Sequence, residues 1–105
     1  MKYRVVFAPE ARERLVSLYR HIAGAASPEI AKRYTDNIVA YCEGLSDSPH
    51  RGMKRDDVRP GLRVTNYKKR TVIAFTVEKD VVSIVGIFYG GRDYEKILMP
   101  DMRET

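Results

Sequence analysis

Tryptophan is absent, cysteine occurs once and histidine twice in this chain of 105 residues. A lone thiol excludes an intrachain disulfide. A zinc site would have to borrow carboxylates, so neither a metal nor a cofactor is expected. The apolar runs are far shorter than the roughly 20 residues that span a bilayer. Met1-Lys2-Tyr3-Arg4 leads into a strand-like run with no signal-peptide core and no small-residue cleavage site. The chain is therefore expected to be cytoplasmic and unprocessed, with no membrane partner. Cys42 falls at an apolar helical position and reads as a small buried hydrophobe. A nucleophile would need a base beside it, and nothing in the sequence places His21 or His50 there.

Present instead are 44% hydrophobic and 31% charged residues, the balance of an ordinary folded protein. The length predicts one domain over 1–105. The net charge of +5 is unevenly spread. Between positions 51 and 70, Arg51, Lys54, Arg55, Arg59, Arg63, Lys68, Lys69 and Arg70 stand against Asp56 and Asp57, a local excess of +6. Such a patch attracts phosphates or an acidic partner. A solvated surface is the plainer reading, but confinement to one segment favours binding.

Lys2 to Phe7 alternates as a half-buried strand with Tyr3, Val5 and Phe7 on one face. Pro9 suits the first position of a helix, and Glu10 and Glu13 its positive end. Ala11, Leu15, Leu18 and Ile22 make its apolar stripe, and Gly24 is a plausible stop. Ser27-Pro28-Glu29 opens a second helix, with the stripe Ile30, Tyr34, Ile38, Tyr41 and Leu45. So short a link predicts an antiparallel helical hairpin. Tyr19, Tyr34 and Tyr41 read first as packing residues, although tyrosines at a stripe's edge also suit an interface. His50 to Val58 is polar, basic and without period: a mobile contacting loop or only a long connection. Leu62 to Tyr67, Thr71 to Val77 and Val81 to Tyr89 then read as strands joined by short corners, which predicts an antiparallel meander. Gly90-Gly91 breaks the last strand as a conformational turn, and 93–98 predicts a short terminal helical turn.

The fold class is thus α+β: an N-terminal strand, a helical hairpin and a three-stranded antiparallel meander, with the helices on one sheet face. The opposite face is expected to carry Arg63, Thr65, Tyr67, Ser83 and Tyr89, with Arg92 at its end and nothing in the chain to cover it. That uncovered face is the candidate site.

The order of elements, the turn Arg59-Pro60-Gly61-Leu62-Arg63, the run Thr71-Val72-Ile73-Ala74-Phe75 and the ending from Val85 to Glu95 through Tyr89-Gly90-Gly91-Arg92-Asp93-Tyr94 together resemble the RelE/ParE superfamily of bacterial toxins. The ending looks more like the ParE branch. That resemblance implies a type II toxin that inhibits DNA gyrase, serves plasmid stabilisation, meets operator DNA only through its antitoxin, and is held inactive by that antitoxin. Arg59, Arg63, Tyr67, Tyr89, Arg92 and Tyr94 are then the expected target contacts, and Tyr19, Tyr34 and Tyr41 the antitoxin contacts.

The RelE branch implies an alternative, cleavage of ribosome-bound messenger RNA. Attack by a 2′-hydroxyl needs a base, a cation for the phosphorus and an acid for the leaving oxygen. Arg63 and Arg70 could supply charge and Tyr89 or Tyr94 a proton relay, with Lys54, Lys68 and Lys69 assisting. No histidine or carboxylate is clearly placed as the base, so an inhibitor rather than an enzyme is the first reading. A degenerate toxin kept as a corepressor is a third. Arg59 and Arg63 could equally pair with Asp93 or Glu95 and fix the end of the sheet, whereas Arg92 leans to function.

Overall fold

The computed structural model describes residues 2–90 and 94–99. Strand β1 (Arg4–Phe7) runs into helix α1 (Pro9–Ala25), which proline opens without a side-chain cap. Gly24 does not stop this helix: the last bond, from the Ala26 amide to the Ile22 carbonyl, closes two residues later. Helix α2 (Pro28–Glu43) starts where expected, with the Ser27 hydroxyl accepting from the Ile30 amide at 3.1 Å. It passes through a 3₁₀ turn at Gly44–Ser46. Its buried stripe is Ala31, Thr35, Ile38 and Cys42, one residue round from the predicted one at its start, and Ile30 is 45% exposed.

Strands β2 (Met53–Lys54), β3 (Leu62–Tyr67), β4 (Thr71–Glu78) and β5 (Val81–Tyr89) complete a sheet of order β1-β5-β4-β3-β2. The meander is as expected, but β1 closes the sheet by pairing parallel with the first half of β5. Strand β2, which the sequence showed only as part of a loop, pairs with the start of β3. The five-residue helix α3 (Tyr94–Leu98) follows β5.

One irregularity sets the faces. Ala74 pairs with Gly86 and Phe75 with Ile84, so β5 carries an extra residue, Val85. A bulge of this kind reverses the inward–outward parity of the strand. Before it, Val82 and Ile84 join the helix-side core; after it, Ile87 and Tyr89 do. Ser83 and Tyr89 therefore lie on opposite faces, not together as simple alternation implies.

The helix-side core joins Leu18, Ile38, Cys42 and Leu45 to Tyr67, Ile73, Phe75, Val82, Ile84 and Ile87. Thr65, Tyr67 and Tyr89 face the helices, so the face expected to be bare is the covered one. The other face is apolar, carrying Leu62, Val64, Ala74 and Phe88, and is closed by Val58 and by Leu98 of α3. A polar pattern misled the assignment because the hydroxyls on the helix side find partners inside the protein.

Gly86 sits against Phe88 on this second face. A Cβ there would strike the Phe88 ring, which is buried and has no room to retreat. Gly86→Ala should cost about 1–3 kcal/mol by overpacking. An unchanged urea midpoint would show that the ring can move.

Candidate functional site

Side chains with chemical potential collect in four places. The first is the seam beneath the helices. Tyr34 Oη lies 2.9 Å from Thr71 Oγ1, and Tyr41 Oη 3.0 Å from Thr65 Oγ1. Tyr34 also packs edge-on against Tyr67 and Tyr89 at ring-centre distances of 5.8 and 6.0 Å, and His21 lies 6.1 Å from Tyr89. Two of the three tyrosines expected to meet an antitoxin thus use their hydroxyls to dock α2. Tyr19 is half-buried on α1.

The second place is a clasp over the far face. Arg55 donates to Tyr94 Oη at 2.6 Å and to Glu95 at 2.8 Å, and pairs bidentately with Asp57 at 2.9 and 2.8 Å. Arg59 Nε donates to the Leu98 carbonyl at 3.0 Å, satisfying an acceptor that the end of a helix leaves open. Five residues are too few to hold a helix in water by themselves, so α3 depends on these arginines and on Leu98. The hydrogen bond to Asp57, then that to Glu95, hold the Arg55 guanidinium more firmly protonated. Conversely, the bond from Arg55 holds the Asp57 carboxyl below its ordinary range.

The third place is a groove of about 710 Å³ beside the free half of β5. Pairing with β1 stops at Ile84, leaving the outer edge of 85–89 beside α1. The buried Leu18 and Ile87 and the half-buried Tyr89 line the groove, with Glu10, Glu13 and Arg14 contributing charge and His21 beside them. Arg14 reaches round the edge to place its guanidinium 4.5 Å from the centre of the Phe88 ring.

The fourth is the tip of the β3–β4 hairpin, Lys68, Lys69 and Arg70, all exposed. Lys68 and Lys69 have φ of 53° and 64°, and the Arg70 amide donates to the Tyr67 carbonyl at 3.3 Å. Tyr67 pairs with Thr71, so the loop has three residues, and its first two are left-handed, a conformation that Asn and Gly adopt most readily. Side-chain-bearing residues there cost about 1 kcal/mol each.

The expected target contacts are therefore dispersed. Arg63 donates to the His50 carbonyl at 2.7 Å, Arg59 to α3, Tyr67 is in the core and Tyr89 is half-buried. Arg59 and Arg63 make no carboxylate pair among the described residues; the pair to Glu95 is made by Arg55. Its role was hidden in the sequence because Glu95 is forty positions away. Arg92, Asp93 and Gly91 lie outside the described residues. Burial pushes the Cys42 thiol up to about 12, far from a reactive thiolate. Among the described residues no cluster of three or more His, Cys, Asp or Glu could hold a metal ion, and no helix is long and apolar enough to cross a membrane.

A strand, a two-helix hairpin and an antiparallel meander closed by a parallel N-terminal strand define an α+β fold. The family model of the ParE toxin of type II toxin–antitoxin systems, parDE, matches residues 5–94, and the chain belongs to that family. Among solved structures, a chain of the chromosomal ParDE toxin–antitoxin system from P. aeruginosa has the same fold. Its TM-score is 0.74 at 21% identity, over 84% of this chain and 96% of that one. No curated protein matches significantly.

The clasp makes a pH prediction. The folded Asp57 carboxyl is the stronger acid, so its contribution is complete above the ordinary aspartate value of about 3.9. That contribution is lost as pH falls through the lower folded value. Asp57→Asn should thus lower the urea midpoint at neutral pH, and the gap to the parent should close in acid. A gap independent of pH would remove Asp57 from the account.

Proposed function

We propose that this ParE-family toxin acts by inhibiting DNA gyrase through binding, and that a cognate antitoxin neutralises it in the cytoplasm. Family membership supports the toxin class. The observation that carries the choice of mechanism is the scatter of the groups an RNA-cleaving site would need. Arg63 and Tyr67 are four residues apart on β3, about 13 Å at strand rise, and Arg70 lies beyond that end. Tyr94 is on the other sheet face from Tyr89. Acid, base and phosphate-binding cation must all reach one phosphate within hydrogen-bond distance, and these four do not converge on one.

The antitoxin is best seated in the groove between α1 and the free edge of β5. An extended or helical segment laid there would meet the open edge of 85–89, the half-buried Tyr89 and charged anchors of both signs. This replaces Tyr34 and Tyr41, whose hydroxyls are already engaged.

Purified gyrase with ATP and relaxed plasmid tests the reading. Adding the toxin should stop supercoiling and accumulate cleaved plasmid, and antitoxin should restore supercoiling. Undisturbed supercoiling together with arrested translation in a cell-free system would transfer the activity to messenger RNA. If both proceed normally, the chain is a toxin in fold only.

A further inference from the structure

We infer that the β3–β4 hairpin tip, Lys68-Lys69-Arg70, is a contact for the phosphates of duplex DNA. Three observations converge on this. Of the basic excess of 51–70, Arg55, Arg59 and Arg63 are bound to groups of the protein itself, and Arg51 lies over the Tyr41 ring. Lys68 has only the face of Tyr67, at 5.8 Å, and no carboxylate pairs with Lys68, Lys69 or Arg70 among the described residues. Secondly, two lysines occupy left-handed positions that glycine or asparagine would fill with less strain. A residue choice that works against local geometry points to a use for the side chain. Thirdly, the tip lines neither the groove beside α1 nor the smaller cavity at His50, Lys54 and Arg63, so neither gives it the apolar anchor site that a peptide partner would need. Phosphates need no pocket. Phosphates of one strand recur about every 3.4 Å along the duplex axis, and the long, flexible side chains of adjacent lysine and arginine residues can reach neighbouring ones.

The inference rests on the gyrase reading for where the DNA is met, namely the segment that gyrase holds. The contact itself is measurable without gyrase. The test uses fluorescence anisotropy of a labelled duplex with the full chain across a salt series. The variant Lys68→Asn with Lys69→Gly places the favoured residues in this turn, so the melting temperature should hold or rise. Affinity should nonetheless fall roughly tenfold or more, and the slope of log K against log salt should shrink by about 2. A matched control removes two charges elsewhere, Lys54→Gln with Lys79→Asn. Lys79 sits in the β4–β5 turn at the opposite end of the sheet and also has a left-handed φ, 57°. The control should bind nearly as the parent does. Equal losses in both variants would mean diffuse charge rather than a contact and would overturn the inference. So would unchanged DNA affinity in the tip variant, or a loss confined to antitoxin binding, which would give the tip to an acidic protein. Failure in gyrase with DNA binding intact would count against the gyrase reading alone.

Discussion

The extra residue in β5 decides what this sheet can do. β5 has a neighbour strand on each side along its first half, the α1–α2 hairpin above and the α3 layer below. A strictly alternating strand could not send Val82, Ile84, Ile87 and Tyr89 to the helices and Phe88 to the far face. With Val85 inserted it does so, and the ring of Phe88 folds back over Gly86. The bulge therefore couples two cores that would otherwise have independent registers. It also falls where β1 leaves the sheet, so the same stretch of chain that reverses parity borders the open edge and the groove beside α1.

Arginine and lysine take different work in this protein. The arginines of 55–63 reach carbonyls, a phenol and carboxylates, using the planar fork that lets one guanidinium serve several acceptors. Two of them, Arg55 and Arg59, hold a helix too short to stand by itself. The lysines of the β3–β4 tip have no such acceptors among the described residues and are exposed. Summed as charge, the segment looks like one patch; in space it is a structural clasp and a separate exposed tip.

Much of this was legible in the sequence. Pro9 and Ser27-Pro28 mark both helix starts, and the alternation of Leu62 to Tyr67 and of Thr71 to Val77 marks strands correctly. The near-continuous apolar run of Val81 to Tyr89 identifies an interior strand. Ile30 misled because helical spacing fits two adjacent stripes, and burial went to the one built on Ala31 and Thr35. The faces of the sheet were not legible. Threonine and tyrosine signal exposure when counted singly, yet here Thr65 and Thr71 meet Tyr41 and Tyr34 across the helix–sheet boundary. Nor can a reading of local pattern see a bulge in an unbroken apolar run, or a clasp whose two halves are forty residues apart.

Whether this ParE-family chain is a toxin directed at DNA topology is decided by inducing it alone in growing bacteria while following a DNA-damage reporter and protein synthesis together. The account predicts that growth stops, the reporter rises and protein synthesis persists through the onset, with co-expressed antitoxin reversing all three effects. Arrest with translation lost first and the reporter silent would contradict it, as would undisturbed growth.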